Sequence, residues 1–358
     1  MKRLLKLAKA KQGISSPNPL VAAAVVKNDI VLAEGVHDKP GTKHAELIAL
    51  EKAGNLAQGA TLYVNLEPCT HYGKTPPCVN AIIKAGISKV IYAMEDPNVL
   101  VRKIPALKVL TDHNIDVAFG LLEKEALILN EVFVKNQKYQ KPFVTLKVAQ
   151  TLDGKIALPN GESKYITSSK SLKLVHQLRN NHDAILIGIN TVLLDDPSLD
   201  IRFNIKQNKE TRFIIVLDPN LKMPLNAKLF NNKNHQVIIA THKKNINTEK
   251  YFTLSKKTKL LTLDNDNDFD LNLILTTLYQ KFGITSLLIE GGKKVFTSAI
   301  SNKIVDKAYF FIAPKMILGE DSIFPFGGKS VADLDHALIL KDLKVKYLNP
   351  DVLITGYF

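Results

Sequence analysis

The chain has 358 residues, 46% of them hydrophobic, and a formal net charge of +14. That length fits two domains of about 100–200 residues each, and no apolar run reaches the roughly 18 residues of a membrane helix. Lysine is spread along the chain rather than packed into a basic block, which points to anionic small substrates and away from nucleic acid or a membrane surface.

The start, Met1-Lys2-Arg3-Leu4-Leu5-Lys6, lacks the apolar core and cleavage site of a secretory signal, so the cytoplasm is the expected location. Leu4 to Lys11 predicts a helix stopped by Gly13, followed by a turn-rich loop, Ser15-Ser16-Pro17-Asn18-Pro19. Leu20 to Val26 and Ile30 to Val36 predict a hairpin across Lys27-Asn28-Asp29, with His37 after the second strand. Lys43 to Ala53 predicts a helix ended by Gly54. Ala60 to Leu66 reads as a strand, Cys78 to Ala85 as a helix introduced by Pro76-Pro77, and Lys89 to Met94 as a strand running into a turn at Asp96-Pro97-Asn98. A helix at Ala106 to Asp112, a strand at Ile115 to Phe119 and one helix at Leu122 to Val134 complete an α/β layer with a largely parallel sheet.

Chemistry concentrates between Lys43 and Cys78. His44, Cys69 and Cys78 offer one imidazole and two thiols, a donor set for tetrahedral Zn²⁺ that leaves its fourth position to water, as catalytic rather than structural sites do. Glu46 stands two residues past His44 and can carry protons to and from that water. His-x-Glu followed by Pro-Cys and a second Cys is the pattern of zinc deaminases, although here eight residues separate the cysteines rather than two. Cys78 at a helix N-terminus favours a thiolate. The chain has only two cysteines, both inside the motif, and a disulfide between them is disfavoured in a reducing compartment.

Lys138-Tyr139-Gln140-Lys141-Pro142 is a polar joint, which divides the chain into residues 1–141 and 142–358. Beyond it, Phe143 to Ala149 reads as a strand, Thr151-Leu152-Asp153-Gly154-Lys155 as a turn, Ser169 to Asn180 as a helix capped by Ser168, and Ala184 to Ile189 as a buried strand before Asp195-Asp196-Pro197. Further strands are expected at Phe213 to Leu217, Gln236 to Ala240, Leu287 to Ile289, Lys307 to Ala313, Val345 to Leu348 and Val352 to Phe358, with a helix at Val295 to Ile300. Glu290-Gly291-Gly292 between strand and helix can cradle a phosphate or simply make a tight turn. The absence of Gly-x-Gly-x-x-Gly argues against a Rossmann domain.

Ser16-Pro17-Asn18-Pro19, His44-Ala45-Glu46, Leu66-Glu67-Pro68-Cys69 and Gly73-Lys74-Thr75-Pro76-Pro77-Cys78 together resemble the bifunctional riboflavin-biosynthesis deaminase/reductase family. The likeness continues through Thr151-Leu152-Asp153-Gly154, His176-Gln177-Leu178-Arg179, Asp195-Asp196-Pro197 and Ile289-Glu290-Gly291-Gly292, and covers nearly the whole chain. It implies an α/β architecture: an N-terminal, three-layer domain of cytidine-deaminase type and a C-terminal domain of dihydrofolate-reductase type. The implied activities are hydrolytic deamination of a phosphoribosylamino-pyrimidine and NADPH-dependent reduction of its ribosyl group to a ribityl chain.

By the same resemblance Zn²⁺ sits on His44, Cys69 and Cys78, with Glu46 as proton shuttle, and Asn18, His37 and Lys74 touch the substrate. In the second half Ala149, Tyr165, Thr191, Asp195 and the turn from Gly292 line the cofactor site. Ser163, Arg179, Leu199, Arg202 and Glu290 hold the sugar phosphate, with Lys147 near the reacting carbon. Lys147, Asp195 and Glu290 remain alternatives for protonating the opening ring. The chain departs from the family at Ala22-Ala23, at Val99 to Leu107, which has no glycine, at Tyr165 in place of Trp, and at Asn190 in place of Gly. The competing readings are a nucleoside or tRNA deaminase with a non-catalytic C-terminal binding domain, and a nucleic-acid-binding zinc protein. Oligomeric state, and a homo-oligomer in particular, is left open.

Overall fold

The computed structural model describes residues 1–72, 76–264 and 269–358. It divides into two compact units, Met1–Gln140 and Lys141–Phe358. Among the described residues no helix is long and apolar enough to cross a membrane.

The first unit opens with helix α1 (Lys2–Lys9), hairpin strands β1 (Ala22–Lys27) and β2 (Ile30–Val36), helix α2 (Ala45–Ala53) and strand β3 (Thr61–Val64). Helix α3 (Cys78–Lys84), strand β4 (Lys89–Tyr92), helices α4 (Val99–Lys103) and α5 (Ala106–Thr111), strand β5 (Asp116–Phe119) and helices α6 (Glu123–Leu129) and α7 (Glu131–Tyr139) follow. The strands lie in the order β2-β1-β3-β4-β5. Only β3, β4 and β5 run parallel; β1 is antiparallel to both its neighbours, so the sheet is less parallel than its alternation with helices suggests. The cause is the tight hairpin: Lys27 pairs with Ile30, and Asn28 and Asp29 both take the left-handed backbone that such two-residue turns require.

Strand β1 is buried on both faces, as a three-layer arrangement demands. Ala23 and Val25 join a core with Ala49, Leu50, Leu62 and Ile82, while Ala22 and Ala24 pack with Leu4 and Ala8 of α1. Gly35 lets β2 and α2 touch: a Cβ there would lie 2.1 Å from the Ala45 carbonyl oxygen and 2.7 Å from the Ala49 nitrogen. The strand thereby fixes where α2 begins.

Two expectations change. The stretch from Leu122 to Val134 is two helices, because Asn130 turns its side chain to Leu20, accepting from its N–H at 2.8 Å and donating to its carbonyl at 3.2 Å. The glycine-free segment after Asn98 forms α4, whose first turn is capped by the Asn98 side chain accepting from the Leu100 N–H at 2.9 Å.

The second unit runs through β6 (Phe143–Thr151), α8 (Ser169–Asn181), β7 (Ala184–Gly188), α9 (Ile189–Asp195), β8 (Arg212–Leu217) and β9 (His235–His242). It continues with α10 (Glu249–Ser255), β10 (Lys259–Leu263), α11 (Leu271–Phe282), β11 (Ser286–Ile289), α12 (Lys293–Ser301), β12 (Lys307–Ala313), β13 (Lys341–Tyr347) and β14 (Val352–Tyr357). Among the described residues nine strands lie in the order β10-β9-β8-β7-β11-β6-β12-β14-β13. Those from β10 to β12 are parallel, and β14 and β13 close the edge antiparallel. Strand β7 is buried at every position, as a parallel strand covered on both faces must be. It ends at Gly188, where α9 takes over the apolar run and the Asp195 segment with it. Helices α10 and α11 and strand β10 were not expected from the sequence, although Asp270 and Gly283 cap α11 at its two ends.

Candidate active sites

His44 is the N-cap of α2, Cys78 is the first residue of α3, and Cys69 lies between β3 and α3. These placements bring the His44 Nδ1 to 3.1 Å from the Cys78 Sγ and 3.6 Å from the Cys69 Sγ. All three donor atoms fall within 4.8 Å of one another, and both cysteines are free. The Cys78 backbone N–H also donates to the Cys69 Sγ at 3.3 Å. The hydrogen bond from Cys78, together with His44, outweighs burial and holds the Cys69 thiol down to about 4, while Cys78, the donor and the more buried sulfur, is pushed well up. Glu46 is buried beside them; burial and the neighbouring Cys69 charge raise its carboxyl. One nitrogen and two sulfurs at this spacing fit Zn²⁺, and a dication here would favour both thiolates and the ionised Glu46.

Asn18 and His37 come to the same place. The Asn18 Nδ2 lies 2.9 Å from the His37 Nε2, and the His37 Nδ1 lies 3.1 Å from the Lys43 carbonyl oxygen. The His37 ring meets that of His44 edge-on at 5.7 Å. Burial lowers the pKa of His37, so a neutral ring fits, donating from Nδ1 to Lys43 and accepting from Asn18 at Nε2. Lys74 lies outside the described residues.

Two acids here had no place in the sequence reading of the site. Glu67 accepts from the backbone N–H groups of Asp96 (3.1 Å) and Ala106 (2.8 Å), tying the segment after β4 to the one that carries Cys69. Asp96 accepts from the Asn98 N–H at 2.8 Å, and burial pushes its carboxyl up to about 6. A signal was present: Glu67 directly precedes Pro68-Cys69.

In the second unit a cavity of about 830 Å³ opens at the C-terminal ends of β6, β7 and β11. Ala149, Ser163, Tyr165, Thr191, Asp195 and Gly292 line it, as do Lys147, Arg179, Leu199 and Glu290. Leu146 pairs with Ile289, so Lys147 and Glu290 are neighbours across the β6–β11 ladder, with the Lys147 Nζ 3.8 Å from Glu290 Oε2. Arg179 holds Glu290 from α8 with two contacts, Nε to Oε1 at 2.6 Å and Nη2 to Oε2 at 2.9 Å, and also donates to the Asp200 carbonyl at 3.2 Å. Burial alone would raise the Glu290 carboxyl; Arg179 and Lys147 overcome it and hold it at about 2.

At the cavity's other wall Ser163 donates to Asp195 Oδ1 at 3.4 Å, and Lys164, which the sequence did not single out, reaches the Asp195 carbonyl at 3.0 Å. Gly291 is obligatory in space: a Cβ would stand 2.9 Å from the Ile187 Cβ and 3.0 Å from the Thr191 Oγ1. Gly292 takes a φ of +77° and starts α12. A bare backbone at the head of a helix, flanked by Lys293 and Lys294, fits the phosphates of a dinucleotide. Asn190 lies within α9 with no positive φ, so its replacement of glycine costs no strain. Arg202 stands apart from the cavity lining, its Nη2 donating to the Ser198 Oγ at 2.9 Å and its side chain 60% exposed.

Residues 1–94 match the cytidine and deoxycytidylate deaminase zinc-binding region, and residues 142–354 match the RibD C-terminal domain. The chain is 42% identical to the riboflavin biosynthesis protein RibD of Aquifex aeolicus, covering 99% of this chain and 96% of the relative. It is 39% identical to that of Synechocystis sp., covering 100% and 95%. Among solved structures, RibD of Acinetobacter baumannii superposes with a TM-score of 0.87 at 33% identity, covering 99% of this chain and 97% of the other. A diaminohydroxyphosphoribosylaminopyrimidine deaminase/5-amino-6-(5-phosphoribosylamino)uracil reductase of Thermotoga maritima gives 0.86 at 34%, covering 100% and 97%. The chain belongs to the family of the riboflavin biosynthesis protein RibD and is a bifunctional enzyme, a zinc-dependent deaminase and a reductase.

Proposed function

We propose that residues 1–141 hydrolyse the amino group from 2,5-diamino-6-(5-phosphoribosylamino)pyrimidin-4-one and that residues 142–358 reduce the ribosyl group of the product to a ribityl chain with NADPH. The observation that carries the first step is the convergence of His44, Cys69 and Cys78 within 4.8 Å, with the Glu46 carboxyl buried beside them. The name of the Thermotoga maritima relative supports the choice of substrate and the order of the steps.

In the deaminase, His44, Cys69 and Cys78 would hold Zn²⁺, which would supply activated water at neutral pH. Glu46 takes the proton from the nucleophile and returns it to the leaving ammonia. Asn18 and His37 orient the pyrimidine ribotide, and Lys74 meets its anionic part. In the reductase, NADPH supplies the hydride. Ala149, Tyr165, Thr191, Asp195 and the Gly292 turn seat the dinucleotide. Ser163, Arg179, Leu199, Arg202 and Glu290 hold the sugar phosphate, with Lys147 near the reacting carbon. The partner is thus a phosphorylated small molecule in the cytoplasm, with no call on nucleic acid or membrane.

Supplying the diaminopyrimidine ribotide with NADPH and following ammonia and NADPH together tests the reading. One ammonia released and one NADPH consumed per substrate is the expected result. Ammonia release without NADPH oxidation would favour a deaminase with a non-catalytic C-terminal half.

A further inference from the structure

Away from the zinc cluster and the dinucleotide cavity, one buried cation has no counterion. Arg212 is the first residue of β8 and only 4% exposed. Among the described residues its Nε and Nη2, both buried, meet no hydrogen-bond acceptor, and no ion pair joins its guanidinium to a carboxylate. Arg212, Ile214 and Val216 point to the same face of β8, and the last two pack in an apolar core with Leu229 and Val237. The guanidinium therefore leaves the strand beside hydrocarbon, where an unpaired charge is costly.

The acids nearby are committed elsewhere. Glu290 is gripped by Arg179, and Asp183 meets Lys209. Asp200 turns its carboxylate to the Asn232 Nδ2 at 2.6 Å, with Arg202 at 3.9 Å. Glu210, two residues before Arg212, is exposed.

The field around Arg212 is positive. Burial brings its pKa down to about 10, Arg179 lowers it further, and Glu290 opposes both. Burial, then Arg212 itself, brings Lys209 down to about 8. His235 stands opposite Arg212 in the β8–β9 register. Burial is the chief cause of its lowered pKa; Asp200 opposes, and Arg212 and Arg179 add to the fall. Arg212 nonetheless stays charged at neutral pH. A buried charge and two directed donors are thus left for a ligand.

We propose that Arg212 is the floor of a binding site for a free oxyanion of the phosphate type, apart from the dinucleotide cavity, which Arg212 does not line. Nε and Nη2 lie along one edge of the guanidinium, the edge that meets two oxygens of a phosphate at once. Water could accept from either donor but would leave the charge unbalanced. The anion would also offset the repulsion between Arg212 and Arg179, steadying the start of β8. A ribotide carries the same phosphate chemistry; the position of Arg212 outside the cavity lining assigns the site to a free anion.

Equilibrium dialysis of the full chain against radiolabelled inorganic phosphate tests this, with chloride holding the ionic strength constant. It is run with and without saturating NADP⁺ and deaminated ribotide, an unreactive pair that fills the cavity. With both present, wild type should still hold one phosphate per chain. Arg212→Met should weaken that binding at least roughly 10-fold, the worth of one charged hydrogen bond. Arg212→Lys keeps the charge but loses the fork, and should fall between the two. Under the same conditions phosphate should raise the melting temperature of wild type and leave that of Arg212→Met unmoved. If Arg212→Met does not fold, wild type and Arg212→Lys carry the comparison. Three results would overturn the proposal. No phosphate on wild type would leave the Arg212 donors to water. Binding as tight in the variants as in wild type would put the anion elsewhere. Displacement of the phosphate by the ribotide would give Arg212 to the substrate.

Discussion

Arg179 and Glu290 form a two-pronged buried ion pair, joined at 2.6 and 2.9 Å although they lie 111 residues apart in the chain. Removing one partner strands the other charge in a medium that solvates it poorly. Arg179→Met should therefore destabilise the second unit by roughly 3–5 kcal/mol, the usual cost of breaking a buried pair. Replacing both residues with apolar ones of similar size should recover part of that loss. Urea unfolding of both single variants and the double variant, followed by circular dichroism, gives the coupling. Additive losses would show that the two side chains are not energetically linked.

Metal removal should abolish deamination and leave reduction intact, because His44, Cys69 and Cys78 all belong to the first unit. The check is to strip the metal with a chelator and assay the reductase on substrate already deaminated. Loss of both activities in a protein that remains folded would contradict separate sites.

Glu46→Gln should keep its zinc and lose about 10²–10⁴-fold in deamination rate. The replacement keeps the shape of the buried side chain but cannot carry a proton. Elemental analysis alongside the kinetics separates loss of metal from loss of the shuttle; near-normal turnover at full metal content would clear Glu46 of that role.

Arg202 is 60% exposed, with the Ser198 hydroxyl at 2.9 Å and the Asp200 carboxylate at 3.9 Å beside its guanidinium, so its loss should cost little stability. A phosphate contact remote from C1′ acts alike on ground and transition states, so the change should appear in the reductase KM. A charged hydrogen bond of about 1.5–3 kcal/mol corresponds to roughly 10- to 150-fold for Arg202→Ala. Deaminase kinetics should not move. An unchanged reductase KM would take Arg202 out of the substrate site.

His182 is buried, its Nδ1 2.7 Å from the Leu178 carbonyl oxygen and its Nε2 2.8 Å from the Thr145 hydroxyl. Burial holds its pKa down to about 4, and His176 is held down to about 4 as well, again chiefly by burial. Between there and the ordinary value near 6.5 the unfolded chain binds more protons than the folded one. These groups therefore make stability rise with pH from about 4 to 6.5 and level off above. His182→Gln should flatten that rise by up to roughly 3 kcal/mol. The measurement is the difference in unfolding free energy between variant and wild type across that window; a difference independent of pH would refute the buried neutral imidazole.

The convergence of His44, Cys69 and Cys78 was legible because the three sit where local rules place them: His44 and Cys78 at the heads of α2 and α3, and Cys69 in the segment between β3 and α3. The β1–β2 hairpin was legible for the same reason, in the turn residues Asn28 and Asp29. What escaped depends on distant partners. Asn130 breaks a helix to reach Leu20, 110 residues away. The pairing of Arg179 with Glu290, 111 residues further on, left no local mark in the sequence. The start of α9 was hidden by the unbroken apolar run from Ala184 to Ile189, in which periodicity cannot separate strand from helix.

Gly35 gives the metal centre a mechanical dimension. The atom that a Cβ at this position would strike is the carbonyl oxygen of Ala45, the residue directly after His44. The imidazole's position is therefore calibrated by strand–helix spacing as well as by its own side-chain torsions. Graded bulk at position 35 would act as a spacer, sliding the head of α2 away while leaving every donor atom chemically unaltered. Zinc affinity would then report that backbone displacement, and a substitution in a strand that contributes no ligand could empty the site.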